Sequence, residues 1–231
     1  SPTLETDRMP FELPKRSVHF VSLGCPKNRV DAEHMLALLG VEGWQVVDEP
    51  ERAEAIVVNT CAFIDESKTE SIAAILEMAD YKESGRCKAL VVSGCLAQRY
   101  AESLNEEMPE VDYILGTSEY GKIAEVLERA ADMPRRIVSD PDFVATSAVP
   151  RVNSMAQHIA YLKIAEGCSN KCAFCIIPTL RGVQNSRAID DLVVEAKRLA
   201  DSGVRELILV AQDLTAYGVD LADRPQLHDL V

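Results

Sequence analysis

Short apolar runs alternate with longer stretches of helical periodicity from residue 17 to residue 131, and few folds accept that alternation. Residues 18–23 (VHFVSL) predict a strand and residues 30–39 a helix, with a shorter strand over 44–47. Residues 55–58 lead into Asn59, Thr60 and Cys61, and a strong helix is expected over 66–81. The run KALVV at 88–92 precedes Ser93, Gly94 and Cys95, after which a helix continues to about residue 107. Residues 113–115 form a last short strand before a helix over 119–130. The strands are near-continuous in Val, Ile and Leu rather than alternating, which fits a parallel sheet covered on both faces.

The segment 17–131 is therefore read as an α/β, flavodoxin-like doubly wound N-terminal domain. Residues 1–16 are polar and proline-dotted, without the apolar h-region of a secretory signal, and are read as a disordered tail. From 132 to 156 the pattern dissolves into Pro, Arg, Asp, Ser and Asn; this is a linker by composition, with Arg135 and Arg136 as solvated charge. A second unit occupies 157–231, with a strand over 160–165, a helix over 187–201 and a strand over 207–211. That is one βαβ unit, right-handed by default. No apolar run approaches the roughly 18 residues of a membrane span, so no membrane association is expected.

Hydrophobic residues make up 47% of the 231 and charged residues 26%, enough for a sizeable core. Lys and Arg number 24 against 37 Asp and Glu, a net charge of −13. Such a chain is a poor partner for phosphate backbones and suits a basic protein surface better.

The seven cysteines are odd in number and unevenly spread, which argues against a secreted disulfide framework and for metal or redox work in a reducing cytosol. Cys168, Cys172 and Cys175 form a CxxxCxxC run (CSNKCAFC) just after the strand AYLKIA. Three thiolates this close can converge on one soft metal centre. A structural zinc site normally closes with four ligands, and no fourth Cys or His follows within the next turns; His158 precedes the strand. A four-iron, four-sulfur (4Fe–4S) cube held by three thiolates instead leaves one iron open for a substrate or cofactor. Zinc, and a thioredoxin-like CxxC made by Cys172 and Cys175, remain the other readings.

Cys25, Cys61 and Cys95 each stand directly after a predicted strand, as SLGC, NTC and SGC. The carboxyl ends of parallel strands share one edge, where ligands bind in the crevice. Residues remote in sequence thus meet there, beside helix N-termini that favour thiolate over thiol. Three separately buried packing cysteines are the alternative. Cys87 lies ahead of the strand that delivers Cys95, at the wrong end of the sheet, and is read as a packing or surface cysteine.

A CxxxCxxC run after the first strand of a barrel resembles the signature of radical S-adenosylmethionine (SAM) enzymes. A strand-end cysteine triad ahead of it is similar to the methylthiotransferase family among them. The resemblance covers residues 17–220 and rests on GCPKN at 24–28, NTCAFI at 59–64, KIAEGCSNKCAFCIIP at 163–178 and RG at 181–182. It implies two 4Fe–4S clusters: one on Cys168, Cys172 and Cys175 that binds SAM and cleaves it to a 5′-deoxyadenosyl radical, and one on Cys25, Cys61 and Cys95 that carries the sulfur or methylthio group. It further implies that Phe174 packs near the adenine of SAM and that Gln212 contacts its amino-acid moiety. Core packing for Phe174 and loop capping for Gln212 are the alternatives.

The wording around the cysteines resembles that of the branch that modifies an aspartate β-carbon in a basic small-subunit ribosomal protein. The tRNA-modifying branch, which would make nucleic acid the partner, typically reads GCQMN and NTCSVR. A non-catalytic iron–sulfur electron-transfer module is the reading from another class. For the enzyme, an electron donor such as flavodoxin or ferredoxin and a cytoplasmic setting are implied. The family continues through a radical SAM (β/α) partial barrel and a small C-terminal β-barrel. Residues 157–231 supply only the first part of that barrel, so the sequence is expected to be a fragment of a larger enzyme. Asp65, Glu66 and Glu70 are read as a favourable first helical turn rather than as acid–base catalysts.

Overall fold

The computed structural model describes residues 16–129 and 132–231. The tail expected over 1–16 lies, apart from Arg16, outside the described residues, as does the end of the helix expected over 119–130. The first unit is built in the order β1 (Ser17–Ser22), α1 (Pro26–Val41), β2 (Gln45–Val46), β3 (Ala55–Thr60), α2 (Asp65–Ala79), α3 (Tyr81–Ser84), β4 (Ala89–Gly94), α4 (Cys95–Arg99), α5 (Ala101–Glu107), β5 (Tyr113–Leu115), α6 (Ile123–Glu128) and β6 (Arg136–Ile137). Its six strands are all parallel, in the order β2-β1-β3-β4-β5-β6. This is the flavodoxin-like, doubly wound arrangement, and its strand order reverses between β1 and β3.

Both faces of the sheet are dry. Ile56, Val58, Leu90, Val92 and Ile114 turn to one side, against Ile75 and Met78 of α2 and Leu104 of α5. Val57, Val91 and Leu115 turn to the other, against Met35 and Leu39 of α1 and Ile123 and Val126 of α6. Alternate residues thus enter opposite cores, which is why the strands read as unbroken apolar runs. Burying one such side chain contributes roughly 1.5–3 kcal/mol.

Several boundaries differ from the sequence reading. Helix α1 starts at Pro26, four residues before the apolar pattern begins, because proline suits the first helical position. The helix expected through 107 breaks at Tyr100 (φ −125°, ψ 32°) into α4 and α5. The segment read as pure linker adds β6 to the sheet; two residues are too few to show any periodicity. Arg135 is not solvated linker charge either. Its guanidinium donates to the carbonyls of Asn105, Met108 and Val111, closing the turn after α5, while Arg136 pairs with Glu102.

The second unit comprises β7 (Ile159–Lys163), β8 (Ala165–Glu166), α7 (Ile177–Arg181), β9 (Asn185–Ser186), α8 (Ile189–Asp201), β10 (Glu206–Val210) and α9 (Leu227–Leu230). β7 and β10 pair in parallel, with α8 between them in sequence packing Leu192 against Leu162 and Ile164. The antiparallel pair β8–β9 is a feature the sequence did not suggest, again because each strand has two residues. Among the described residues no helix is long and apolar enough to cross a membrane.

The two units meet across a buried layer of charge. Lys163 of β7, 1% exposed, donates to Asp31 of α1 at 2.6 Å and to Glu166 at 2.8 Å. Arg151, in the 132–156 segment, pairs with Glu33 of α1 at 2.7 Å and Glu195 of α8 at 2.6 Å, and Glu195 pairs with Arg187 at 2.6 Å. Burial alone would neutralise Asp31, but the charges of Lys163 and Arg181 overcome it and hold the carboxyl below its ordinary range.

Candidate metal centres

The carboxyl ends of β1, β3 and β4 deliver Cys25, Cys61 and Cys95 to one edge of the sheet, on both sides of the point where strand order reverses. All three line one cavity of about 540 Å³, together with Lys27, Phe63, Ile177, Arg181 and Gln212 among others. Cys61 and Cys95 are buried and Cys25 is half-buried at the N-terminus of α1.

Close approach of the three strand ends depends on glycine. Gly24 and Gly94, each immediately before a cysteine, both take φ +92°. A Cβ on Gly24 would lie 2.9 Å from the Cys61 Cβ, and one on Gly94 would lie 2.5 Å from the Asn59 Oδ1 and 2.6 Å from the Thr60 carbonyl. Polar side chains then lock the edge. Asn28 Nδ2 donates to the carbonyls of Leu23 (3.0 Å) and Thr60 (2.8 Å), joining the ends of β1 and β3. Asn59 returns a bond to the Asn28 carbonyl at 2.7 Å. The Ser71 hydroxyl of α2 accepts from the Cys61 amide at 3.0 Å and donates to its carbonyl at 2.9 Å.

Arg181 reaches this edge from the second unit. It is 2% exposed and donates to Asp31 at 2.6 Å, to Glu166 at 3.3 Å and to the Asn28 Oδ1, from which the Cys95 Sγ lies 3.8 Å away. Burial pushes the Cys95 thiol up and the Arg181 guanidinium pulls against it. None of these partners carries a sequence signal of its own. Asn28 and Arg181 stood inside the GCPKN and RG wording, but their roles emerge only when residues about 150 positions apart meet.

The second set behaves differently. Cys168, Cys172 and Cys175 sit on the loop between β8 and α7; Cys172 is exposed and its companions half-buried. The loop is held at its base, where the Cys168 amide donates to the Gly182 carbonyl at 3.0 Å, and by Asn170 donating to Asp213 at 3.0 Å. Phe174 is 93% exposed, so it is not the core side chain offered as one alternative. Gln212 lines the cavity of the first triad, one residue from the Asp213 that tethers the loop. Helix α7 runs directly from Cys175 into that same cavity, presenting Leu180 and Arg181. Cys87 is buried in the core beneath β4, away from both sets, as expected for a packing cysteine.

Among the described residues no three His, Cys, Asp or Glu side chains converge tightly enough to share one metal ion. In a four-iron cube each thiolate binds a different iron, so its ligands stand further apart than those of a single ion. Three thiols around a cavity beside a helix N-terminus and a fixed guanidinium form a donor set that fits such a group.

Residues 17–116 match a family model described as uncharacterized protein family UPF0004. The chain is 61% identical over 216 residues to the ribosomal protein uS12 methylthiotransferase RimO of Myxococcus xanthus (strain DK1622). That match covers 94% of this chain and 45% of the relative. By sequence the chain is similar to part of that protein. The RimO of Anaeromyxobacter sp. (strain K) is 59% identical over 214 residues, 93% of this chain and 45% of the relative. That of Trichlorobacter lovleyi is 51% identical over 221 residues, 95% of this chain and 49% of the relative. The chain thus spans about half the length of the curated relatives it matches.

Proposed function

We propose that this chain forms part of a radical SAM methylthiotransferase that inserts a methylthio group at the β-carbon of an aspartate in the ribosomal protein uS12. The observation that carries the reading is the convergence of Cys25, Cys61 and Cys95, from three strand ends, on one cavity. Residues 17–131 serve as the sulfur-donating domain and 157–231 as the start of the radical SAM barrel, joined through 132–156. When bound, one 4Fe–4S cluster supplies the electron that cleaves SAM and the other supplies the sulfur to be transferred.

The chain's own residues provide the setting. Cys25, Cys61 and Cys95 anchor the sulfur-donating cluster on a rigid edge, and Cys168, Cys172 and Cys175 anchor the SAM-binding cluster on a loop. Gln212 and Phe174 serve as SAM contacts. Helix α7 and residues 212–213 link the two sites, which supports transfer between them. A net charge of −13 favours a basic protein substrate over tRNA, and a flavodoxin or ferredoxin in the cytoplasm serves as electron donor.

The test uses the full-length enzyme with uS12 and an adenosine-containing tRNA as competing substrates. Methylthio transfer to the uS12 aspartate alone is the expected outcome, and transfer to the tRNA alone overturns the substrate assignment. In the same assay, Cys172→Ala is expected to abolish 5′-deoxyadenosine formation, while Cys61→Ala spares it and stops sulfur insertion. Equal loss of SAM cleavage in both variants, with folding intact, overturns the division of labour.

A further inference from the structure

We propose that Arg181 is a positioning residue for the cluster on Cys25, Cys61 and Cys95: it holds a fixed buried positive charge against that cluster from the unit that carries the other one. The inference rests on the reading of those three cysteines as cluster ligands and adds a residue that tunes them.

The placement is specific. Arg181 ends α7, the short helix that starts two residues after Cys175, and lines the first triad's cavity together with all three of its cysteines. One guanidinium nitrogen is anchored by Asp31 at 2.6 Å and Glu166 at 3.3 Å, one carboxylate from each unit. The other donates to the Asn28 Oδ1, the same atom that lies 3.8 Å from the Cys95 Sγ. The two carboxylates are also bound by Lys163, at 2.6 and 2.8 Å, so two cations balance two buried carboxylates. Asp31, Glu166, Lys163 and Arg181 sum to zero, and three thiolates brought to the cavity then face the Arg181 cation. Lys27 also lines the cavity, but Arg181 is held there by the hydrogen bonds it donates to both units.

A guanidinium stays charged at any working pH, and its planar fork makes several directed bonds at once. In a site shielded from water, a fixed cation favours the more negative, reduced state of a neighbouring cluster. Hydrogen bonds and charge around the ligands are levers that set cluster potential. Because Arg181 belongs to the second unit, the first cluster's potential becomes sensitive to docking of the two units.

The experiment isolates the first cluster by measuring the full-length enzyme in a C168A/C172A/C175A background. Its midpoint potential is read by optical or EPR titration with Arg181 intact, as R181K, as R181Q, and as D31N/R181Q. The last variant keeps the buried charges balanced and guards against misfolding of R181Q alone. With the charge removed, the ratio of reduced to oxidised cluster at fixed potential is expected to fall at least tenfold, a downward shift of about 59 mV for one electron. R181K, which keeps a cation, is expected to recover most of it. Iron lost from both Gln variants and kept in R181K, with the fold intact, is the stronger form of the same result. An unchanged potential in D31N/R181Q, or R181K behaving like R181Q, overturns the proposal. Absence of any cluster in the background with Arg181 intact overturns instead the reading on which it rests.

Discussion

The two cysteine sets are held in opposite ways. Cys25, Cys61 and Cys95 come from three strand ends spread over 70 positions of sequence. They are fixed by two positive-φ glycines, by Asn28 and Asn59 bridging the strands, and by the Ser71 grip on the Cys61 backbone. Cys168, Cys172 and Cys175 lie within eight consecutive residues on an open loop that touches the fold at its base and through Asn170. A site assembled from remote residues has to be built into the core before any ligand arrives. A site assembled from neighbours needs only a tether, and a bound group can order the rest.

That contrast is open to attack, most strongly at the charged layer beneath the first triad. Lys163→Met leaves Asp31 and Glu166 sharing Arg181 in a water-free setting. An unbalanced buried charge of this kind costs about 3–5 kcal/mol. Denaturant titration is expected to show a loss of that size, largely recovered when Asp31→Asn is added. A loss below about 1 kcal/mol for the single change would mean the layer is wetter than its burial implies.

The next effect is pH-dependent. His34 of α1, buried against Tyr120, has its imidazole pushed down to about 4 by burial, against an ordinary 6.5; its hydrogen bond to the Pro150 carbonyl only partly opposes this. The unfolded chain therefore binds more protons between those values, and stability rises with pH across that window. The contribution is complete above pH 6.5 and lost as pH falls through 4, amounting to about 3 kcal/mol. His34→Gln is expected to flatten the difference in unfolding free energy between pH 7 and pH 4 by about that amount. Identical pH slopes for the two proteins would place His34 in contact with solvent.

A smaller pair of changes compares the two sets directly. Ser71→Ala leaves the buried amide and carbonyl of Cys61 without their partner and is expected to cost about 1–3 kcal/mol. Asn170→Ala, on the exposed loop, is expected to stay within about 0.5 kcal/mol. Equal costs would remove the distinction between a built site and a tethered one.

The same distinction explains what the sequence disclosed. The parallel sheet was legible because β1, β3 and β4 bury both faces and so read as apolar runs. Both cysteine sets stand out in the sequence, Cys168, Cys172 and Cys175 by local spacing and Cys25, Cys61 and Cys95 by their shared place after a strand, and the latter three line one cavity. Helix α1 was only half legible: its polar Asp31, Glu33 and His34 are all buried, Asp31 against Lys163 and Arg181 of the second unit and Glu33 and His34 against the 132–156 segment. Polarity reports solvent exposure only when no partner covers the surface, and the partner here lies more than 100 residues further along. β6, β8 and β9 escaped notice for a simpler reason, since a two-residue strand has no period.

The claim that two separately built cysteine sets hold two separate clusters is tested most directly by counting iron. The full-length enzyme, reconstituted anaerobically, is expected to hold about eight irons, two four-iron cubes. The C25A/C61A/C95A and C168A/C172A/C175A variants are each expected to retain about four. Undiminished iron after removal of either set, or complete loss of iron on removal of only one with the fold intact, contradicts the account.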